Sequence, residues 1–313
     1  MRKSMPFRMS RRQAVCAGVA AGASLAFQRH SWAQTLVVAS PITKVIPGTG
    51  ERLPVVGLGT DKFRGEARAA IRAEIKRMLE LGGTVIDTAA AYGDSEALIG
   101  DAVASLGVRD RLFIATKLTA SGANGGESPG EASFTRSLGR LRTQHVDLLQ
   151  VHNLDGVDEL MPTLQKWKQA GRIRYLGITT SRVAQHGRMV EFMRKYPLDF
   201  IQVDYSLANR DAAANVLPLA IERRIGVLAN IPFAFGSLLG QLRTKPLPAW
   251  AKEIDVGSWA QFLLKYVLSH PAVTCTIPGS TQVAHLEDNQ GAARGKLLDE
   301  PMRRQMEQIW DAA

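Results

Sequence analysis

A chain of 313 residues, 45% of them hydrophobic, can form one large domain or two small ones, and global disorder is excluded. The formal charge of +10 is uneven: residues 1–33 hold six Lys/Arg and no Asp or Glu, which leaves 33 basic against 29 acidic residues, a net of +4, in the remainder. Those basic residues are scattered, with no dense tract and no interleaved aromatics, so a nucleic-acid partner is not expected.

Residues 1–33 read as a signal peptide of twin-arginine type. Ser10-Arg11-Arg12-Gln13 opens onto an apolar stretch from Ala14 to Phe27, and Ser31-Trp32-Ala33 fits a small-x-small cleavage site. The stretch falls short of the ~20 apolar residues of a spanning helix, so stable membrane insertion is not expected. The expectation is a periplasmic or exported protein starting at Gln34 and handled by the export machinery, or a cytoplasmic one if the signal is not used. An ordinary Sec signal or a mis-assigned start codon is the alternative. Cys275 is then the lone cysteine of the mature chain, so no intramolecular disulfide can form. It lies in Val273–Ile277, a run that reads as a buried strand and argues against a catalytic thiol.

Further along, residues 42–46, 47–51 and 53–57 read as strand, turn and strand. A rhythm follows. Apolar strand-like runs lie near 55–58, 84–87, 112–117, 146–152, 173–179, 199–204, 226–231 and 273–278. Helical periodicity fills the intervals at 66–81, 94–106, 130–143, 158–170, 182–195, 212–224, 257–269 and 282–293, with a last helix near 299–311. Over 66–81, for example, Ala67, Ala70, Ile71, Ile75, Met78 and Leu79 recur at three- and four-residue steps, with Arg68, Arg72, Lys76 and Arg77 on the other face. Pro129 and Asp158 stand where helices are expected to start. Eight strand–helix units in about 250 residues predict an α/β fold, a (β/α)8 TIM barrel over residues 42–311, with the N-terminal β-hairpin plugging its bottom. A doubly wound sheet would want a glycine-rich phosphate loop, and Gly57-Leu-Gly59-Thr60 lacks the third glycine. The glycine-rich loop at 119–130 and the longer insertion at 233–256 flank the mouth.

In such a barrel, chemistry sits where strands end. Asp87 ends the second strand, Tyr92 lies in the loop after it, Lys117 ends the third and His152 the fourth. Charged groups atop a packed barrel are costly unless paired, which predicts Asp87 with Lys117 and Lys117 beside the Tyr92 hydroxyl. An ammonium next to a phenol is expected to lower the phenol's pKa from ~10. Tyr92 could then protonate a carbonyl oxygen while hydride reaches the carbon, with Asp87 orienting Lys117 and a neutral His152 fixing the substrate oxygen. No metal site is expected, because His152 has no partner histidine at ligand spacing.

The chain resembles the aldo-keto reductases over residues 42–311. The resemblance rests on the hairpin and strand from Ile46 to Thr60, Asp87-Thr-Ala-x-x-Tyr92-Gly-x-Ser-Glu96, Ala115-Thr-Lys117 and Asp147-Leu-Leu-Gln-Val-His152. Gly171-Arg-Ile-Arg-Tyr-Leu-Gly177, Gln202 and the Ile277-Pro-Gly-Ser280 to Asn289 region extend it. It implies a (β/α)8 barrel, NADPH or NADH, and a small carbonyl substrate reduced with Tyr92 as acid. By position it implies contacts to the nicotinamide ribose from Gly59, Thr60 and Asp61, to the carboxamide from Thr179, Thr180 and Gln202, and to the pyrophosphate from Pro232, Phe233, Gly236, Ser237 and Leu238. Ser280, His285, Asp288 and Asn289 fall at the adenosine end. Asn230 stands where the family usually stacks an aromatic ring on the nicotinamide. Gly279, Thr281 and Gln282 offer no fixed charge, and His285 stands where an arginine is common, which weakens NADPH preference and opens NADH. Phe63, Leu118, Asn153, Leu154 and Trp250 are the expected substrate lining. A nucleotide-binding regulatory or interaction protein on the same barrel is the alternative function.

Overall fold

A computed structural model describes residues 40–120 and 130–312. The signal reading at 1–33, the glycines at 122, 125 and 126, and Pro129 lie outside the described residues. Strands β1 (Thr43–Val45) and β2 (Arg52–Pro54) pair antiparallel as a hairpin. Strand and helix then alternate: β3 (Leu58–Gly59), α1 (Arg68–Glu80), β4 (Val85–Asp87), α2 (Ser95–Leu106), β5 (Phe113–Leu118), α3 (Glu131–Leu141), β6 (Val146–Val151) and α4 (Val157–Gln169). The second half runs β7 (Ile173–Thr179), α5 (His186–Lys195), β8 (Phe200–Asp204), α6 (Ala212–Glu222), β9 (Gly226–Asn230), α7 (Ser237–Leu242), α8 (Trp259–Leu268), β10 (Cys275–Thr276), α9 (Val283–Gly291) and α10 (Glu300–Asp311).

Strands β3 to β10 pair in sequence order, all parallel, and the bridges Val56↔Thr276 and Gly59↔Gly279 join the first to the last. This is the (β/α)8 barrel expected from the rhythm. Strands walled on both faces carry continuous apolar runs, and β5, β6 and β8 are buried at every position. Val85, Phe113, Ala115, Leu148, Tyr175, Phe200, Leu228 and Cys275 form the inner layer, which Ile46 and Leu53 of the hairpin segment cover from below. Polar staples hold that cover: Glu51 Oε2 accepts from Arg174 Nη2 and from the Tyr175 hydroxyl, both at 2.5 Å. A second, larger core packs the outer strand faces against the helices.

Two boundaries differ from the periodic pattern. The helix expected from 182 starts at His186, because the Thr180 hydroxyl accepts from the Arg182 amide at 3.1 Å and residues Val183–Gln185 form a 3-10 turn. The insertion at 233–256 holds α7 and a further 3-10 turn, Ala249–Ile254. Among the described residues, no helix is long and apolar enough to cross a membrane.

Candidate functional site

The four catalytic candidates meet at the C-terminal mouth of the barrel. Asp87 ends β4 and Lys117 lies one residue from the end of β5, both buried to within a few per cent. Lys117 Nζ donates to Asp87 Oδ2 at 2.5 Å and to the Thr88 carbonyl at 2.8 Å, and lies 4.9 Å from the centroid of the Tyr92 ring. The His152 ring meets the Tyr92 ring edge-on, with centroids 5.8 Å apart. The other Asp87 oxygen, Oδ1, accepts from Gln202 Nε2 at 2.9 Å, and Gln202 Oε1 accepts from Thr179 Oγ1 at 2.8 Å. Six side chains, four from β4, β5, β7 and β8 and two from the connections after β4 and β6, therefore hold one another in place.

The electrostatics follow from burial. Burial opposes charge on Lys117, but the Asp87 carboxylate and the Tyr92 phenol outweigh it and hold the ammonium's pKa above its usual value. Burial raises the Tyr92 pKa, and the ammonium reduces that rise without reversing it. The expected depression of the phenol's pKa is thus corrected: desolvating a phenolate is the larger effect here. Burial, aided by the Lys117 charge, lowers His152 to about 4, so its ring is neutral at neutral pH, as expected. Burial also pushes the Cys275 thiol well above the usual range, in keeping with a structural role.

The run after Asp87 divides its labour within this chain. Thr88, Ser95 and Thr60 link their hydroxyls at 2.9 and 2.7 Å, and Thr60 donates to the Asp87 carbonyl at 2.9 Å, so the Thr60 side chain braces β4. Glu96 is buried, accepting from Thr116 at 2.6 Å and Arg140 Nε at 2.8 Å, which ties α2 to β5 and α3. Gly59 and Asp61 stand at the mouth beside Gly279.

Several binding candidates are committed elsewhere. The Leu238 side chain is buried in the outer core, and the half-buried Phe233 packs against that core. Ser237 is exposed and its hydroxyl donates to the Ala234 carbonyl at 2.8 Å; Pro232 is buried and Gly236 exposed. Asp288 Oδ1 accepts from Ser258 Oγ and Gln261 Nε2, both at 2.8 Å, bracing α9 against the start of α8. Asn289 is buried and His285 exposed on α9. The Thr180 hydroxyl donates to Gln185. Asn230 Nδ2 donates to the Thr180 carbonyl at 3.2 Å, while Asn230 Oδ1 is buried without a partner among the described residues. Of the expected substrate lining, Phe63, Leu118 and Leu154 are fully buried in the outer core. Trp250 packs on Phe262, with ring centroids 5.3 Å apart, and Asn153 is half-buried with φ 55°.

Sequence reasoning missed two features. Phe235 stands 83% exposed on the loop after β9, where Ile231, Ala234 and Phe235 all have positive φ. That loop borders a groove with Ser181, Tyr205 and Asn209. The second is Glu74, buried in α1 with its carboxylate against Ser280. Its spacing was a usable signal, since 71, 74 and 78 share one helix face with the apolar stripe.

The sequence model of the Aldo/keto reductase family matches residues 55–311. The chain is 29% identical to a protein named methylglyoxal reductase YeaE from Escherichia coli, over 81% of this chain and 90% of that one. It is 29% identical to an oxidoreductase, YqkF, from Bacillus subtilis, over 78% of this chain and 89% of that one. An aldo/keto reductase from Klebsiella pneumoniae, solved in complex with NADP and acetate, superposes with a TM-score of 0.71 at 26% identity, over 85% of this chain and 94% of the other.

Proposed function

The chain belongs to the aldo/keto reductase family and is an oxidoreductase by that membership; we propose that it reduces aldehyde or ketone carbonyls to alcohols with NADPH or NADH, Tyr92 acting as general acid. The observation that carries this reading is the buried Asp87–Lys117 pair beside the Tyr92 phenol, with a neutral imidazole against the same ring. The residues present fit a nicotinamide dinucleotide. Asn230 Oδ1, buried and without a partner among the described residues, is an acceptor for a carboxamide N–H. The dinucleotide supplies the hydride that reaches the carbonyl carbon.

Tyr92 gives its phenolic proton to the carbonyl oxygen as that bond becomes C–O. Burial keeps the phenol protonated at neutral pH, the form a general acid needs. The Lys117 ammonium stabilises the phenolate left behind, and Asp87 keeps that ammonium charged and placed. A neutral His152 offers one N–H to the substrate oxygen without competing as an acid. Similarity to a protein named for methylglyoxal reduction and to structures holding NADP or NADPH supports this class of reaction. Steady-state turnover of a simple aromatic aldehyde with each dinucleotide tests it. One alcohol formed per dinucleotide oxidised is expected; tight dinucleotide binding with no turnover would contradict it and favour the regulatory alternative.

Residues 1–33 support a second proposal, that the protein is exported through a twin-arginine route. Fractionation of cells making the full chain, with N-terminal sequencing, is expected to find a form starting at Gln34 outside the cytoplasm. A full-length chain confined to the cytoplasm would contradict it.

A further inference from the structure

Beside β3 at the mouth of the barrel, the segment after β10 carries Gly279, Ser280, Thr281, Gln282 and, on α9, His285, with no Lys or Arg among them. Beneath Ser280 lies Glu74, in the middle of α1 and fully buried. The Ser280 hydroxyl donates to Glu74 Oε1 at 2.6 Å and approaches the Gln282 carbonyl at 2.9 Å, while its oxygen accepts from the Gln282 amide at 3.2 Å. Glu74 Oε2 is buried and has no partner among the described residues. A buried acid with one unpartnered oxygen is an expensive feature to keep in a helix-to-strand seam.

We propose that Glu74 sets the dinucleotide preference of this protein, excluding a 2′-phosphate from the Ser280 end of the site and selecting NADH. The inference rests on the reductase reading above and on the family resemblance, which implies that the adenosine lies at Ser280, His285 and Asn289. Two physical effects act in the same direction. The single Ser280 proton is shared between Glu74 Oε1 and the Gln282 carbonyl, so the hydroxyl has none to give a phosphate, which presents only acceptors at neutral pH; a ribose 2′-hydroxyl can donate to it instead. A phosphate would also bring a second anion next to a carboxylate where water is excluded, and like charges there repel more strongly than in bulk solvent. No guanidinium or ammonium in the segment 279–285 offsets that repulsion. Selection therefore comes from an element that rejects the wrong ligand as much as from one that welcomes the right ligand. Burial raises the Glu74 pKa, with the hydrogen bonds from Ser280 and the Gln282 backbone pulling the other way, so the repelling carboxylate forms at higher pH than on an exposed acid.

Isothermal titration of the full chain with NADH and with NADPH tests this by binding alone. The wild type is expected to bind NADH at least about tenfold more tightly. Glu74→Gln, checked for folding by its thermal melt, is expected to narrow that ratio about tenfold through a gain on NADPH. Equal or tighter NADPH binding by the wild type would overturn the inference, as would a folded Glu74→Gln that keeps the wild-type ratio. The wild-type ratio tests the same claim if the variant does not fold. Failure of both dinucleotides to bind would overturn the reductase reading itself, whereas binding of both with equal affinity overturns only the role of Glu74.

Discussion

Lys117 is a fully buried ammonium whose charge is supported by one carboxylate, one backbone carbonyl and the adjacent phenol. Removing one member of a buried ion pair strands the other, which typically costs about 3–5 kcal/mol, whereas replacing both by apolar groups is far milder. Asp87→Ala and Lys117→Met are each expected to lose stability on that scale in urea unfolding, and the double variant Asp87→Leu/Lys117→Met less than the sum of the two. Strict additivity would mean that the pair does not act as a unit. His152 is expected to remain neutral down to about pH 4, against 6.5 for an unperturbed ring. Imidazole NMR should place its midpoint near that value; a midpoint at 6.5 would remove the reason for treating it as a neutral hydrogen-bond donor.

At the scale of elements, the barrel depends on close approaches that pattern alone does not display. Gly100 in α2 faces α3 so closely that a Cβ there would sit 2.1 Å from the Arg140 carbonyl, a backbone atom with little freedom to yield. Gly100→Ala is expected to destabilise by about 1–3 kcal/mol despite its higher helix propensity, measured by the urea midpoint. The strand–helix alternation was legible because strands sheathed on both sides must be apolar and the helices show one apolar face each. The tetrad was legible because Asp87, Lys117 and His152 each interrupt or follow such an apolar run. Phe63, Leu118 and Leu154 were misplaced as pocket lining because position near the mouth does not fix whether a side chain turns outward into the core or inward over the site. Tyr92 was misjudged in acidity because the charge beside it can be read from sequence, while the depth of burial opposing that charge cannot. Glu74 lies on the buried face of its helix with Ile71, Ile75 and Met78, but its carboxyl resembles the exposed charges of the same helix until the Ser280 partner, distant in sequence, is seen.

For the molecule as a whole, two half-buried histidines make stability depend on pH. Burial lowers His152 and His270 each to about 4, so between there and 6.5 the unfolded chain binds protons that the folded chain does not. Stability is expected to be intact above pH 6.5 and to fall as the pH drops through that window. Urea midpoints at pH 7 and pH 5 check this, and a midpoint that rises toward pH 5 would contradict it. The wider architecture gives the site its rigidity, since hairpin, inner layer and helical sheath hold the strand ends that carry Asp87, Lys117 and His152. The central claim is that this rigid cluster exists to make Tyr92 a proton donor. Its most direct test compares wild type and Tyr92→Phe for reduction of an aromatic aldehyde, with dinucleotide affinity measured in parallel. The account predicts a kcat lower by about 10²–10⁴-fold with dinucleotide affinity little changed; a Tyr92→Phe variant that turns over at the wild-type rate would contradict it.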